Sequence, residues 1–517
     1  MGNICLCITS RISTAPPDCK SLDIPTLSME AARDTFYRIY ENGEQSDSVN
    51  KILRQLDFHP LSITLLATVA HHNKWGTRRL AKEWEKQRTG MLRAQRDKSL
   101  AATIELSLTS PTFIKLGPDA RDLLGVIAFF PQGVNEDNLE WLFPIISDKE
   151  GILDKFCLLS LTYRSNGFVT MLAPLRDYLS PKGPGFSPLL HTTKGHYFRK
   201  LSVEVDPSGP GFEETRWITS EDVNVEHLLD VFTSVDANSD GVWRACAHFM
   251  EHLYWHRPRL IVLGPKVEGL PDSHPSKPEC LVQLSRLFWS VGNRAEDKRL
   301  LIHTLKLWRE RGDDFEVAET LRFLSKANRY LALYEEGISQ ANEALEIYER
   351  HNHIFGQAQT LQNLAFLLYA DEQFDAAETA ASRSIDLSSS TNNRLGICEC
   401  HRVLGNIYRS KGETEKAISH YETALGIASS SNWNTQLFWN HYALARLFLN
   451  QGGFSDAHVH IERAKSHTVN NPYSLGRAME LEAQVLDEER RFEDAKSEAS
   501  RAAGIFERLG AAGDLER

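Results

Sequence analysis

Residues 401–430, HRVLGNIYRSKGETEKAISHYETALGIASS, are the clearest copy of a pattern that returns about every forty residues between Cys280 and Leu509. Small residues recur in steps of 40, 40, 40 and 38 residues, at Gly337, Ala377, Ala417, Ala457 and Ala495. Further small residues stand twelve positions earlier, at Ser325, Ala365, Gly405, Ala445 and Ala483, and seven positions later, at Ala344, Ser384, Ala424, Ala464 and Ala502. A weaker sixth copy precedes these five, at Leu284, Ser285, Phe288, Thr304 and Trp308.

This spacing predicts pairs of helices, each pair joined by a turn and repeated along the chain. Small residues at fixed positions allow two helix backbones to approach closely, and Leu and aromatic residues fill the remaining space. A single pair cannot bury its apolar face alone, so neighbouring pairs must stack. We therefore predict a mainly α protein in which residues 276–510 form an α-α superhelix.

The repeated pattern resembles the tetratricopeptide repeat. The positions that carry the resemblance are clearest at Leu404-Gly405, Tyr408, Ala417, Tyr421 and Ala424. The usual period of that repeat is about 34 residues. Because the period here is longer, we expect the extra residues to extend the helices and the inter-repeat loops.

Composition and charge narrow the class of protein. A chain of 517 residues is too long for one core, and 42% hydrophobic with 25% charged residues is typical of a globular protein. The formal net charge of −11 disfavours nucleic acid as a partner. No apolar run reaches the roughly 18 residues of a membrane span, and no leader pattern is evident. We expect a cytoplasmic protein without membrane contact, whose eight scattered cysteines are reduced.

The chain before the repeats divides into four segments. Residues 1–26 begin with an apolar, β-prone run that predicts a short remnant strand, and the alternative is a lipidated N-terminus, which lacks the expected Ser or Thr at position six. Residues 27–110 predict a helical domain, and residues 183–275 a helical linker region. In residues 111–182, three helices precede two β-prone runs, Leu158 to Tyr163 and Phe168 to Leu172, around Asn166-Gly167. That order predicts a winged helix with one β-hairpin.

Residues 1–180 resemble the second half of the nucleotide-binding module of NLR-type signalling ATPases, the NB-ARC group of the STAND class. Ile8-Thr9-Ser10-Arg11 is similar to the strand-end sensor motif, Phe58-His59-Pro60-Leu61 to the adenine-side motif, and Met171 to Asp177 to the motif in the winged helix. With the repeats, the whole chain resembles a fungal NLR-like protein. The resemblance implies that Arg11 and Pro60 are vestigial nucleotide contacts. The alternatives are a strand-end arginine and a proline in the first turn of a helix.

Departures from that family decide the expected chemistry. The phosphate loop and the acidic strand that holds magnesium are absent, and both would lie upstream of residue 1. Leu172 and Ala173 stand where the family has its His and Asp. Without these groups phosphoryl transfer loses its main charge stabilisation, so we expect no enzyme activity, no cofactor, and at most weak binding of ADP or ATP.

The leading hypothesis is a scaffold that binds a protein or peptide in the groove of the repeats. Candidate contacts on the first helices of two repeats are Arg402, Asn406, Arg409, Tyr442 and Arg446, which could hold acidic groups. The alternatives are a solvated helix face, and an ADP- or ATP-gated STAND switch in signalling or innate-immunity-like self/non-self recognition. Full-length relatives are a further candidate partner. Two histidine pairs, His71-His72 and His458 with His460, lack a complementary ligand set and predict no metal site.

Overall fold

The computed structural model describes residues 27–40, 46–56, 58–90, 98–180, 186–203, 205, 212–468 and 472–509. These described residues are mostly helical and fall into two compact units. The first comprises those within Met1–Lys200 together with Ser220–Val231, and the second those within Leu201–Thr219 together with Phe232–Arg517. The predicted N-terminal strand and the segment 1–26, with Arg11, lie outside the described residues.

The first unit begins with five helices, and eight of the 13 residues of the third helix are buried. The helices are α1 Met29–Ile39, α2 Asp47–Gln55, α3 Pro60–His72, α4 Thr77–Gly90 and α5 Lys98–Leu108. The Ser28 side chain caps α1 by accepting a hydrogen bond from the backbone N–H of Ala31, as its position before an apolar helix predicts. The helix α3 contacts both α1 and α5, and its Leu65, Leu66 and Val69 are fully buried.

Five short helices and a three-stranded antiparallel sheet follow. The helices are α6 Pro111–Ile114, α7 Asp119–Phe129, α8 Leu139–Leu142, α9 Lys149–Leu158 and α10 Ala173–Leu179, and the strands are β1 Val134–Asn135, β2 Tyr163–Ser165 and β3 Phe168–Thr170, in the order β1-β3-β2. The predicted hairpin turn is confirmed, because Asn166 and Gly167 adopt positive φ angles of 52° and 78°.

Two details of this sheet differ from the prediction. The strand β1 was not predicted, because two residues are too few to show the alternation of apolar and polar side chains that indicates a strand. The run from Leu158 to Tyr163 is wrong as a strand: α9 continues to Leu158, and pairing begins only at Tyr163. The reason is that the chain here closes the end of α9. The backbone N–H of Ser160 donates to the Cys157 carbonyl and that of Leu161 to the Phe156 carbonyl, so neither is free to pair in the sheet.

Four helices lead to the repeats, namely α11 Pro188–Leu201, α12 Ile218–Val235, α13 Asp240–His256 and α14 Gly264–Glu268. In the first unit, α12 contributes the buried carboxylate of Glu221. Its oxygens accept hydrogen bonds from Asn138 (2.6 Å), Tyr197 (2.9 Å) and Asn224 (2.9 Å). Burial raises the pKa of Glu221, while the three donors oppose that rise.

Six helix pairs form the predicted tetratricopeptide-like repeats. They are α15 Lys277–Ser290 with α16 Arg294–Arg311, α17 Asp314–Tyr330 with α18 Tyr334–Arg350, α19 Ile354–Ala370 with α20 Phe374–Ser390, α21 Arg394–Ser410 with α22 Thr414–Ser430, α23 Asn434–Asn450 with α24 Phe454–Ser466, and α25 Pro472–Glu488 with α26 Phe492–Leu509. The small residues at Ala377, Ala417 and Ala457 are fully buried between the helices, as predicted.

The structure also shows where the extra residues of the long period go. From α17 to α23 every helix has 17 residues and every connection has three, so two helices and two turns account for the period. The middle residue of each three-residue turn has positive φ, as at Ala332, Asn352, Glu372 and Asn392. The turns between repeats are therefore as short as those within repeats, and the expectation of longer inter-repeat loops is wrong.

Candidate partner-binding groove

The first helix of each repeat forms the inner side of the stack. The first helices of successive repeats, α17, α19, α21, α23 and α25, contact one another more extensively than the second helices do. Close approach on one side and wider spacing on the other curve a stack of helix pairs toward the closer side. A groove lined by first helices follows from this curvature.

One face of each first helix lines that groove. On α17 it comprises Glu319, Arg322, Lys326 and Arg329, whose spacing of three, four and three residues keeps them on one side of a helix. We call these positions and their counterparts in later repeats the inner face. The counterparts are Gln359, Gln362, Phe366 and Tyr369 on α19; Glu399, Arg402, Asn406 and Arg409 on α21; and Trp439, Tyr442, Arg446 and Leu449 on α23.

The five predicted groove residues all lie on the inner face, but their environments differ. Arg402 is mostly buried and paired with Glu399, and Arg409 donates a hydrogen bond from Nη2 to the Tyr369 hydroxyl oxygen at 3.0 Å. Arg446 is exposed. Arg446 therefore presents its charge to solvent, whereas Arg402 and Arg409 are partly buried.

Asn406 and Tyr442 make contacts within the protein itself. The Asn406 carbonyl oxygen accepts a hydrogen bond from the Tyr421 hydroxyl at 2.7 Å, which joins α21 to α22. Tyr442 is only 8% exposed, and its hydroxyl oxygen accepts a hydrogen bond from Arg477 at 3.4 Å. For these two residues packing competes with the predicted role in binding.

A chain of cation–aromatic contacts crosses the repeats and was missed by sequence reasoning. The Phe366 ring on α19 lies between the guanidinium carbons of Arg329 on α17, at 4.5 Å, and Arg402 on α21, at 4.7 Å. The ammonium of Lys326 lies 4.7 Å from the Trp289 ring on α15. Alignment of the repeats gives no signal for the Phe366 contacts, because Arg329, Phe366 and Arg402 occupy three different rows of the inner face.

These contacts leave the arginines able to bind anions. A guanidinium that stacks on a ring uses its flat face, so its in-plane N–H groups stay available for carboxylate or phosphate oxygens. In the part of the chain that the structure describes, the buried Nε atoms of Arg322, Arg402 and Arg409 have no hydrogen-bond partner. Because these Nε atoms are buried, they add positive charge beside the groove but are not themselves accessible to a ligand.

The pKa values of neighbouring groups report the same positive potential. Partial desolvation raises the pKa of the phenol of Tyr330, a residue that is 52% exposed, but the charges of Arg329, Lys326 and Arg402 outweigh that effect and lower the pKa below its usual value. Burial raises the pKa of Glu319, but the charge of Arg322 lowers it, and the pKa lies below its usual value as a result. Both shifts are expected where cations exceed anions.

Of the two predicted nucleotide contacts, Pro60 lies within the described residues and Arg11 does not. Pro60 is exposed in the first turn of α3, where the His59 side chain caps the helix by accepting a hydrogen bond from the Ser62 N–H at 3.4 Å. His458 contacts Glu489 at 3.2 Å, and His460 lies 3.1 Å from His441. Across the described ranges, no cluster of three or more potential metal-ligating side chains occurs, and no helix is long and apolar enough to cross a membrane.

Comparisons with known proteins agree with this fold. A family model described as a tetratricopeptide repeat matches residues 356–430, and no curated protein sequence matches the chain. The chain is similar to the crystal structure of a Signal Transduction ATPase with Numerous Domains (STAND) protein with a tetratricopeptide repeat sensor from Pyrococcus horikoshii. The sequence identity is 15% and the TM-score 0.60, and the match covers 95% of this chain and 70% of that chain.

Two further solved structures are similar over a smaller share of the chain. A Rap protein complexed with competence and sporulation factor has 14% identity and a TM-score of 0.43, over 72% of this chain and 98% of that chain. Aspartyl phosphate phosphatase F from Bacillus subtilis has 12% identity and a TM-score of 0.38, over 60% and 93%. At these identities the likenesses concern the fold alone.

Proposed function

We propose that this chain is a non-catalytic protein-interaction scaffold whose repeats bind an acidic peptide segment of a partner protein along the inner face. The observation that carries the proposal is the charge of that face. From α17 to α23 it holds two carboxylates, Glu319 and Glu399, each paired with an arginine. Against them stand six cations, which are Arg322, Lys326, Arg329, Arg402, Arg409 and Arg446. A positive groove on a chain of net charge −11 attracts an acidic partner and orients it.

The packing of the arginines adds a second argument. Arg329 and Arg402 are held against the Phe366 ring before any ligand arrives, so they lose less side-chain freedom on binding than solvated arginines would. A guanidinium held in one orientation can also engage a carboxylate through two parallel hydrogen bonds. The groove is therefore better suited to recognising carboxylates at fixed places than to general ion attraction.

Fluorescence anisotropy with a fluorescein-labelled peptide of alternating Asp and Gly tests this proposal. Arg446→Glu reverses an exposed charge on the inner face and should weaken binding about tenfold, equivalent to about 1.4 kcal/mol. The matched control is Lys496→Glu, which reverses an exposed charge on the second helix α26 and should leave the Kd unchanged. Equal effects of the two variants, or tighter binding of a single-stranded oligonucleotide than of the peptide, would contradict the proposal.

A second candidate is a nucleotide-gated STAND switch, which the fold similarity over 95% of the chain favours. In this second candidate the chain has a cytoplasmic signalling role like that of fungal NLR-like proteins. Arg11 and Pro60 contact the nucleotide, and full-length relatives are partners. Calorimetric titration with ADP and ATP distinguishes the candidates: micromolar affinity supports the switch, and absence of heat supports the scaffold.

The domain division at residues 26, 110, 182 and 275 is part of the same proposal, and limited proteolysis tests it.

A further inference from the structure

Exposed apolar side chains recur at one position of the repeats. The second residue of α17, α19 and α21 is Phe315, Phe355 and Leu395, and these side chains are 38%, 43% and 43% exposed. We call these three residues the apolar ladder. Its next position is Thr435, so the ladder spans three successive repeats. Large apolar side chains exposed in a regular row are typical of a surface that another molecule covers.

The apolar ladder runs beside the cations of the groove. Phe315 precedes Glu319 by four residues and Arg322 by seven, so all three lie on one face of α17. Leu395 and Arg402 have the same relation on α21. Seven residues of helix advance about 10 Å, which places an apolar row and a cationic row side by side at about that distance. A segment lying between the rows would contact both.

The distance between successive residues of the apolar ladder, its rungs, determines which conformation of the bound segment fits. Packed helices lie about 8–10 Å apart, so successive rungs of the apolar ladder are separated by about that distance. A polyproline II segment advances about 9.3 Å per turn of three residues and returns the same side of the chain at each turn. Alternate residues of a β-strand advance only about 6.7 Å and would fall out of step within two repeats.

The polar groups of the groove favour an extended segment over a helix. A seven-residue step of an α-helix would also advance about 10 Å, but a helix uses its own backbone groups in internal hydrogen bonds. The groove offers the half-buried side-chain amide of Gln362, which makes no hydrogen bond within the described ranges. An extended backbone has free N–H and C=O groups that can meet both the oxygen and the nitrogen of that amide.

We infer that the bound segment is an extended, polyproline II-like stretch of a partner protein, with an apolar residue at every third position and acidic residues between. The apolar residues cover the apolar ladder, and the carboxylates face the cations of the inner face. This inference rests on the proposed function and adds the sequence pattern of the partner. It predicts specificity that charge alone cannot provide.

Three labelled synthetic peptides test the pattern by fluorescence anisotropy against the full chain. The first repeats Leu-Asp-Asp, the second has the same composition with the leucines placed irregularly, and the third places leucine at every seventh position of a helix-forming acidic sequence. We expect the first peptide to bind about tenfold more tightly than either other, because each covered rung removes apolar area from water. Phe355→Ser should abolish that preference.

The matched control is Val459→Ser, which replaces an exposed apolar side chain on the second helix α24 and should leave the preference intact. Equal binding of the first two peptides would overturn the inferred pattern while leaving an acidic-peptide groove in place. Tightest binding of the helical peptide would overturn the extended conformation. Absence of binding by all three, together with no effect of Arg446→Glu in the earlier assay, would overturn the proposed function itself.

Discussion

Replacing Gly405 by Ala should destabilise the fourth helix pair, although alanine favours helices more than glycine does. A Cβ atom at Gly405 would lie 2.5 Å from Cε1 and 2.7 Å from Cδ1 of the Tyr421 ring. The ring cannot easily move, because Tyr421 is fully buried and its hydroxyl donates to Asn406 at 2.7 Å. The added methyl group must therefore push α21 and α22 apart or break that hydrogen bond.

The magnitude follows from two opposing effects. Overpacking in a well-packed interior costs about 1–3 kcal/mol, whereas Gly to Ala within a helix contributes about 1 kcal/mol of stability. The net expectation is a loss of about 1 kcal/mol. Gly426 on α22 is the matched control, since the residue is exposed and nothing lies within 4 Å of the place that an added methyl group would occupy. Gly426→Ala should therefore stabilise the repeats by about 0.5–1 kcal/mol.

Urea denaturation followed by far-ultraviolet circular dichroism measures both variants against the parent chain. The midpoints should move in opposite directions, downward for Gly405→Ala and upward for Gly426→Ala. A second change, Tyr421→Leu, removes the obstructing ring and should reduce the cost of Gly405→Ala in a double-mutant cycle. A Gly405→Ala midpoint as high as that of Gly426→Ala would refute the close contact between the two helices.

Two further predictions concern buried ionisable groups. Burial and the neighbouring His460 lower the pKa of His441 to about 4, so the native state binds fewer protons than the unfolded state, and stability should be lost as pH falls from about 6.5 toward 4. Urea denaturation midpoints at several pH values should show this loss of stability. The loss should be smaller in the double variant His441→Leu, His460→Ala, whose new residues are those at the matching positions of an earlier repeat, Leu361 and Ala380. Glu221→Leu should destabilise the first unit by about 3 kcal/mol, because three buried donors lose their acceptor. Calorimetric melting measures this loss, and a melting temperature equal to that of the wild type would contradict the prediction.

Local sequence signals predicted much of the fold. The repeated small residues correctly located both helices of every pair, and Ser28 and Asn166-Gly167 acted as the cap and turn that their residue types favour. The predictions failed where local signals were short or conflicting. The strand β1 has only two residues, and the apolar run beginning at Leu158 suits a buried connection as well as a strand.

The sequence predicted which helix positions make up the candidate groove, and their role in binding stays a prediction. The helical spacing placed Arg402 and Arg409 on one face of α21, and the forty-residue repeat placed Arg446 at the position of α23 that matches Asn406. It could not show that Tyr442 is nearly buried or that Asn406 accepts a hydrogen bond from the second helix. Those facts depend on how far neighbouring helices rotate and approach.

The sequence by itself determined that the chain repeats a helix pair about every forty residues, since only small residues at fixed intervals permit such close packing. Tertiary structure alone decided which charges and rings meet. Phe366 lies between Arg329 and Arg402, which are 73 positions apart, and each of the three residues belongs to a different repeat. Contacts of that kind are set by the stacking of one repeat on the next, and no spacing within a single helix encodes them.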